Sequence, residues 1–309
     1  MPLTHVRTFR VRHYECDAYR HVNHANYLRY MQEAAIDASA AAGYDHDRDL
    51  QIKRFWLIRE TQIEYLRPLR YGESVHVTTW VADFRRVRSR RAYEFRLAGS
   101  EKLVAQASTD WVLLEESSNR PASIPQEMKD AFFPEGLPDS PPNSERFPKP
   151  PPSPPGTYRQ ERRVEWRDLD AAGHTNNATY LSYVEDCGLQ MVTALGWNLA
   201  RLTAERLGIA ARSHRIEYKV PATLDDRLEI ATWVSDVRQS TAARHTTIRR
   251  LPEGQLLARA RTVHVWVDLQ AGEPKPIPES FLADLSPVSV TTGGDDNAAA
   301  LTSHSPAPA

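Results

Sequence analysis

The chain of 309 residues has little cysteine, no long hydrophobic run and almost no net charge. Cys16 and Cys187 are too few for a disulfide framework, and their spacing fits no metal motif. The first twelve residues contain no apolar stretch of signal-peptide length, and nowhere do 18 apolar residues follow one another. We therefore expect a cytoplasmic protein with reduced cysteines, no metal and no membrane partner.

The charges of the chain are nearly balanced, with 39 basic and 40 acidic residues. This balance provides no overall field that would attract nucleic acid or anionic lipid. Hydrophobic residues make up 41% of the chain, so a sizeable core can form. The length fits about two domains, and we expect no nucleic-acid partner.

The sequence contains an internal duplication. Residues of the first half recur in the second half at a constant separation of 153 positions. The matching pairs include Asp17 and Asp170, His21 and His174, Asn23 and Asn176, Tyr27 and Tyr180, Gly43 and Gly196, and Pro121 and Pro274. A register held over this distance predicts two related domains.

The interval between the two copies is rich in proline. Ten of the 22 prolines lie between Pro134 and Pro155, a composition typical of an extended linker. Toward the end of the chain, small and polar residues leave little to bury. We predict a first domain over residues 1–125, a linker over 126–157, a second domain over 158–285 and a disordered tail over 286–309.

Each copy is predicted to combine one long helix with several strands. From Asn23 to Ala42, small and apolar residues recur at helical spacing, and Gly43 stands at a C-cap position. The segments that follow are rich in β-branched and aromatic residues and have short separators, which favours antiparallel strands. With an opening strand before the helix, this pattern predicts an α+β fold in which a five-stranded antiparallel sheet wraps the helix in each copy.

The same motif precedes the helix in both copies: Asp17-Ala-Tyr-Arg-His21-Val-Asn23 and Asp170-Ala-Ala-Gly-His174-Thr-Asn176. In composition and position it resembles the motif of hotdog-fold acyl thioesterases of the 4-hydroxybenzoyl-CoA thioesterase type. The resemblance covers most of both copies. It implies a double hotdog with two antiparallel five-stranded sheets, hydrolysis of an acyl-CoA or acyl-carrier-protein thioester without a cofactor, and further association of the fused pair as a homo-oligomer.

Thioester hydrolysis requires an activated water and a stabilised oxyanion. Asp17 and Asp170 lie just before the helix, where a carboxylate can act as general base or as nucleophile. Unpaired backbone amides at the helix start, at about His24 and Asn177, can polarise the thioester carbonyl with the support of the helix dipole. The resemblance implies the same roles for these four residues.

Other interpretations of the loop residues stay open. Asp17 and Asp170 also suit an Asx turn or a helix cap. His21 and His174 are candidate catalytic residues that can orient the aspartate or assist proton transfer, but a structural hydrogen bond to the backbone explains them equally well.

The helix and its cap offer further candidates. Asn23 and Asn176 are candidate substrate-binding residues, although they fit N-caps better than catalysts. Glu33 and Asp186 occupy matching helix positions. The resemblance includes a second branch of hotdog thioesterases, which takes its catalytic acid from this helix.

The two copies differ just before the motif histidine. The first copy has Tyr19 and Arg20 where the second has Ala172 and Gly173. A bulky pair in place of glycine predicts either a changed turn or an obstructed substrate channel, and therefore two unequal sites, with Asp170 the safer candidate.

The densest basic run contains Arg85, Arg86 and Arg88, between two predicted strands of the first copy. Guanidinium groups bind phosphates through paired hydrogen bonds, so this hairpin is a candidate contact for CoA or for an acidic carrier protein. A solvated hairpin that discourages edge pairing is the simpler alternative.

Two other functions remain open for the sequence. A hotdog hydratase or dehydratase would need a histidine paired with a carboxylate, and Asp17 with His21 offers the residue types but not the spacing of that motif. A non-catalytic protein that binds acyl thioesters would bind acyl-CoA without releasing thiol.

Overall fold

The computed structural model describes residues 1–100, 102–137 and 145–291. The strands are β1 (Thr4–Arg10), β2 (Arg54–Tyr65), β3 (Ser74–Phe84), β4 (Arg88–Leu97), β5 (Leu103–Glu115), β6 (Tyr158–Arg163), β7 (Leu207–Tyr218), β8 (Arg227–Ser235), β9 (Thr241–Arg250) and β10 (Gln255–Asp268). The helices are α1 (His24–Ala41), α2 (His46–Ile52), α3 (Gln126–Phe132), α4 (Asn177–Ala194), α5 (Leu199–Ala204) and α6 (Glu279–Leu285).

All ten strands form one antiparallel sheet in the order β1-β3-β4-β5-β2-β7-β10-β9-β8-β6. Each copy contributes five strands, as predicted, but the expected two separate sheets are joined through β2 and β7. The central pair of this seam is Gln62 opposite Arg215, two residues separated by the repeat distance. The seam therefore lies on the pseudo-twofold axis. Joining the halves removes two strand edges that would otherwise remain unpaired.

The long helices α1 and α4 lie on one face of this sheet and contact each other. Each has 18 residues and is followed by a glycine with positive φ, Gly43 at +82° and Gly196 at +86°. Only glycine adopts this left-handed conformation without a steric penalty, so the predicted C-caps are confirmed. Among the described residues, no helix has both the length and the hydropathy needed to cross a membrane.

Helices α3 and α6 begin 153 residues apart and close the ends of the two copies. Met128 and Phe132 of α3 are buried against the first copy, and Phe281 and Leu285 of α6 are buried against the second. The first seven residues of the predicted linker are therefore a helix of the first domain. The constant repeat register would have placed α3 there, but the linker boundary was drawn from composition alone.

The described part of the linker crosses the outer face of the sheet. The backbone oxygen of Glu145 accepts a hydrogen bond from Arg215 at 2.6 Å, and the ring of Phe147 lies 4.5 Å from the guanidinium carbon of Arg259. In the predicted tail, Ser286–Val288 form a short 3-10 helix, and Val288 is buried. Residues 292–309 of that predicted tail lie outside the described residues.

Candidate active site

The loop before each central helix folds as an Asx turn. Oδ1 of Asp17 accepts hydrogen bonds from the backbone N–H groups of Tyr19 at 2.9 Å and His21 at 3.2 Å. Oδ1 of Asp170 accepts one from Ala172 at 2.9 Å. Both aspartates are half-buried, and no described residue donates a hydrogen bond to either Oδ2. One oxygen thus fixes the side chain, while the other remains available to a ligand.

The two loops have the same turn in spite of their different sequences. Arg20 has φ +63° and Gly173 has φ +76°. The N–H of each donates to the aspartate carbonyl, at 3.0 Å and 2.9 Å respectively. The expectation that the bulky pair changes the turn is therefore wrong, because Arg20 adopts the left-handed conformation that glycine takes in the other copy.

His21 and His174 are half-buried beside these turns. Neither imidazole forms a hydrogen bond with a described residue, so the structural hydrogen bond considered for them does not occur in this part of the chain. Burial, together with the positive charge of Arg70, lowers the pKa of His21. We retain both histidines as candidates for contact with substrate.

The first turn of each central helix leaves one backbone donor open. Oδ1 of Asn23 accepts the N–H of the second residue of α1 at 3.0 Å, and Oδ1 of Asn176 does the same for α4 at 2.9 Å. Both are thus N-caps, as expected. The N–H groups of His24 and Asn177 have no hydrogen-bond partner among the described residues. These are the two amides predicted to polarise a carbonyl.

Each capping asparagine also connects its loop to the central helix of the other copy. Nδ2 of Asn23 donates to Oε2 of Glu185 at 3.3 Å, and Nδ2 of Asn176 donates to Oε1 of Gln32 at 3.0 Å. Two candidate sites therefore form between the copies. We call the site with the Asp17 loop the first junction and the site with the Asp170 loop the second junction.

The first junction contains a cluster of ionisable side chains. Nδ1 of His24 forms a hydrogen bond with Oε1 of Glu185, and the His24 ring lies 4.5 Å from the ring of Tyr65. Nδ1 of His214 pairs with Oγ1 of Thr262 at 2.9 Å. Nε2 of His214 lies 3.9 Å from Oε1 of Glu185 and has no hydrogen-bond partner. The cluster therefore combines a carboxylate with two differently held imidazoles.

The second junction replaces each of these ionisable groups by a neutral one. At the positions of His24, Glu185 and His214 it has Asn177, Gln32 and Thr61. All three neutral side chains line one cavity, together with Tyr93 and Trp111. The two sites are thus chemically unequal, but the inequality lies in these facing side chains rather than in the turn.

Charge and burial act in opposite directions on the two imidazoles of the first junction. Burial alone would lower the pKa of His24, but the charge and hydrogen bond of Glu185 outweigh it and raise that pKa. Burial holds the pKa of His214 well below that of free imidazole. The first junction therefore places a histidine whose protonated form is favoured by its carboxylate partner beside a histidine whose protonated form is disfavoured.

His24, Glu185 and His214 each present one potential metal-ligand atom, and these atoms lie within 4.8 Å of one another. Such donors are typical of zinc sites. However, the positive charge of Arg244 acts against protonation of both histidines, although Glu185 outweighs it at His24, and the same charge opposes a bound cation. We therefore interpret the cluster as a proton-handling group.

The helix acids singled out from the sequence do not enter the junctions. Glu33 forms an ion pair with Arg7 at 3.1 Å, and Asp186 forms one with Arg162 at 3.1 Å. Both acids are exposed. Their preceding neighbours, Gln32 and Glu185, face the junctions, and the sequence analysis missed them. A comparison of the copies for exchanges between neutral and ionisable residues would have revealed them.

Most of the basic run lies in ion pairs at the hairpin between β3 and β4. Arg85 contacts Asp83 at 3.0 Å, and Arg88 contacts Asp110 at 3.8 Å. Arg86 is exposed. These pairs favour the structural interpretation for Arg85 and Arg88 and leave Arg86 as the candidate phosphate contact.

Acidification is expected to destabilise the fold before most carboxylates titrate. Burial holds the pKa of His214 well below its ordinary value and lowers that of His245 to about 4. The unfolded chain binds these protons near pH ~6.5 and the folded chain does not, so stability falls as pH decreases from there. Each histidine contributes up to about 1.4 kcal/mol per pH unit. Urea unfolding at several pH values between 7 and 5 measures this slope, and His214→Thr should reduce it.

Comparison with known proteins identifies one family over both copies. The model of the thioesterase-like superfamily matches residues 11–132 and 164–285. The acyl-CoA thioester hydrolase YbgC of Escherichia coli is 32% identical over 127 residues, which are 41% of this chain and 94% of that protein. A chloroplastic palmitoyl-acyl carrier protein thioesterase of Cuphea hookeriana is 27% identical over 192 residues.

The alignment with the Cuphea thioesterase covers 58% of this chain and only 45% of the length of that protein. Among solved structures, the 12:0-ACP thioesterase from Umbellularia californica superposes with a TM-score of 0.70 at 21% identity. The superposition covers 85% of this chain and 94% of that one. At this identity, the likeness shows a shared fold.

Proposed function

Because the chain belongs to the thioesterase-like superfamily, we propose that it hydrolyses acyl thioesters to a free acid and a thiol. One observation carries the proposal. At each junction, an unpaired N–H at the start of a central helix lies in the same loop region as an aspartate that has one oxygen without a partner. A carbonyl held at the N–H would meet a base beside it, as thioester hydrolysis requires.

In the proposed reaction, the amide of His24 or Asn177 binds the carbonyl oxygen of the thioester. The carboxylate of Asp17 or Asp170 takes a proton from water, whose oxygen adds to the carbonyl carbon, or attacks that carbon itself. In the second case the loss of the thiolate leaves an acyl-aspartyl anhydride, which water then hydrolyses to the free acid and the aspartate. The carbon–sulfur bond then breaks, and the thiolate leaves and takes up a proton. The helix dipole favours the negative charge that develops on the carbonyl oxygen.

The first junction adds a histidine–carboxylate pair to this arrangement. In its protonated form, which Glu185 favours, the His24 ring is suited to donate a proton to the departing thiolate. At the positions of His24 and Glu185, the second junction has the neutral side chains of Asn177 and Gln32. We therefore propose that the first junction is the faster hydrolytic site at neutral pH.

The proposed substrate is an acyl-CoA, with an acyl-carrier protein as the alternative carrier. Similarity to YbgC, an acyl-CoA thioester hydrolase, supports CoA, and similarity to the Cuphea acyl-carrier-protein thioesterase supports the carrier protein. The exposed Arg86 is the proposed phosphate contact. A cytoplasmic location and further association of the fused pair into a homo-oligomer remain proposals.

A thiol-release assay tests the function. The full chain is mixed with CoA esters of short, long and aromatic acyl groups, and free thiol is measured with a chromogenic disulfide. We expect thiol release with at least one acyl group, and the matching acyl-carrier-protein ester then identifies the preferred carrier.

Two results would contradict the proposal. Binding of acyl-CoA without any thiol release would support the non-catalytic binding protein. Hydration of an enoyl-CoA without thiol release would support the hydratase.

A further inference from the structure

Arg244, in β9, is a buried cation without a counter-charge in contact. The residue is 6% exposed, and its Nε has no hydrogen-bond partner among the described residues. No described residue forms an ion pair with its guanidinium within 4.0 Å, and burial lowers its pKa although the charges of Cys187 and Glu185 act in the opposite direction. Burial of an unpaired charge destabilises a folded protein, so such a group is retained where it performs a function.

The equivalent residue of the first copy, Arg91, does have partners. Its Nη2 lies 3.4 Å from Oγ of Ser39, and its guanidinium carbon lies 5.6 Å from the ring centre of Phe132. In the second copy these positions hold Val192 and Leu285, which offer neither a hydroxyl nor an aromatic face. The second copy has therefore kept the buried cation and lost what satisfied it.

A glycine in α4 makes room for this cation. A Cβ built on Gly188 would lie 0.9 Å from Nη1 of Arg244, so any other residue would displace the guanidinium. The first copy has Ala35 at this position. Gly188 follows Glu185 by three residues, so the position that the guanidinium occupies lies roughly 5–6 Å from the Cβ of Glu185, on the same side of α4.

Polar side chains connect Arg244 to the first junction across the sheet. Arg244 is opposite Thr262 in the pairing of β9 with β10, and Thr262 is opposite His214 in the pairing of β10 with β7. Thr262 and His214 share a hydrogen bond of 2.9 Å. The surface beneath α4 at this site is therefore polar, whereas a tunnel for a long alkyl chain would be apolar.

We propose that Arg244 binds a carboxylate at the far end of the acyl group, so that the first junction prefers thioesters of short dicarboxylic acids. This inference rests on the proposed thioesterase function. The guanidinium presents a planar pair of donors that matches a carboxylate, and the bound anion would neutralise the buried charge. The guanidinium packs at Gly188, one helical turn from Glu185, and this short separation fits an acyl chain of only a few carbons.

Matched pairs of CoA esters test this inference. Succinyl-, glutaryl- and adipyl-CoA are compared with butyryl-, pentanoyl- and hexanoyl-CoA in the thiol-release assay. We expect kcat/KM of the wild type to favour the dicarboxylic member of the best pair by about 10- to 100-fold, the size expected for hydrogen bonds to a charged group. Arg244→Met should abolish this preference and leave the KM of the neutral esters unchanged, which excludes a contact with the CoA phosphates.

Two further variants separate recognition from folding. Gly188→Ala should also abolish the preference, because its methyl group displaces the guanidinium. Arg91→Met, the matched control in the first copy, should keep it. Arg244→Met should raise the melting temperature, since it removes an unpaired buried charge, whereas a purely structural arginine would lower it on removal.

Equal kcat/KM for charged and neutral wild-type substrates would overturn the inference and leave the thioesterase function intact. An equal loss on both classes in Arg244→Met would do the same. Absence of thiol release from every ester would instead reject the proposed function.

Discussion

Replacement of both loop aspartates, Asp17→Asn with Asp170→Asn, is expected to lower kcat for thiol release by about 10²- to 10⁴-fold. Asparagine keeps the Oδ1 acceptor that holds each Asx turn, so the loop and the helix start should survive. It cannot accept a proton from water or attack a carbonyl as a carboxylate does. The measurement is steady-state thiol release from the best CoA ester, with urea unfolding to establish that the fold is unchanged.

The adjacent helix acids provide a matched control for this double variant. Glu33→Gln with Asp186→Asn also removes one carboxylate from each copy, but these side chains are exposed and paired with Arg7 and Arg162. We expect nearly unchanged turnover. Wild-type turnover in the loop double variant would refute the catalytic role of the aspartates, and loss of turnover in the helix double variant would assign that role to α1 and α4.

The two single aspartate variants measure how much of the activity each junction contributes. Asp17→Asn leaves the second junction intact, and Asp170→Asn leaves the first. If the first junction is the faster site, Asp17→Asn should cost more activity than Asp170→Asn. The reverse order would favour the original sequence-based preference for Asp170.

The helix, the strands and the loop motif were predictable because each depends on local sequence. Helical spacing located α1 between Asn23 and Gly43, and the offset of 153 residues repeated the prediction for α4. The same local chemistry predicted the caps, since asparagine before a helix accepts its orphan N–H groups. These parts required no knowledge of contacts between the copies.

The joined sheet and the particular helix side chains that face each loop were not predictable from one copy. Pairing of β2 with β7 depends on how two edge strands meet across the pseudo-twofold axis, and no local pattern specifies this. The contact of Asn23 with Glu185 depends on the same association of the two copies. Consecutive helix residues point about 100° apart, so the rotation of α4 relative to the loop decides that Glu185 faces the loop and Asp186 faces solvent.

Glu185→Gln gives the first junction the side chain that the second junction has at this position, Gln32, and leaves His24 and His214 in place. In the Asp170→Asn background, where the first junction would carry the hydrolysis, we expect kcat to fall by about 10- to 100-fold. The reason is that His24 loses the carboxylate that keeps it protonated, and with it the ability to donate to the leaving thiolate. The pKa of His24 should fall, which NMR titration of the imidazole measures directly.

The pH profile distinguishes this role from a structural one. In the first junction with Glu185 present, kcat should decline as pH rises through the raised pKa of His24, because the proton donor is lost. With Glu185→Gln this decline should move to lower pH by the same amount as the pKa seen by NMR.

The reciprocal variant Gln32→Glu is a matched control. It should leave the decline in place, because the facing residue there is Asn177, which cannot supply a proton. If Glu185→Gln lowers kcat at all pH values equally and leaves the pKa of His24 unchanged, the carboxylate serves only to hold the loop.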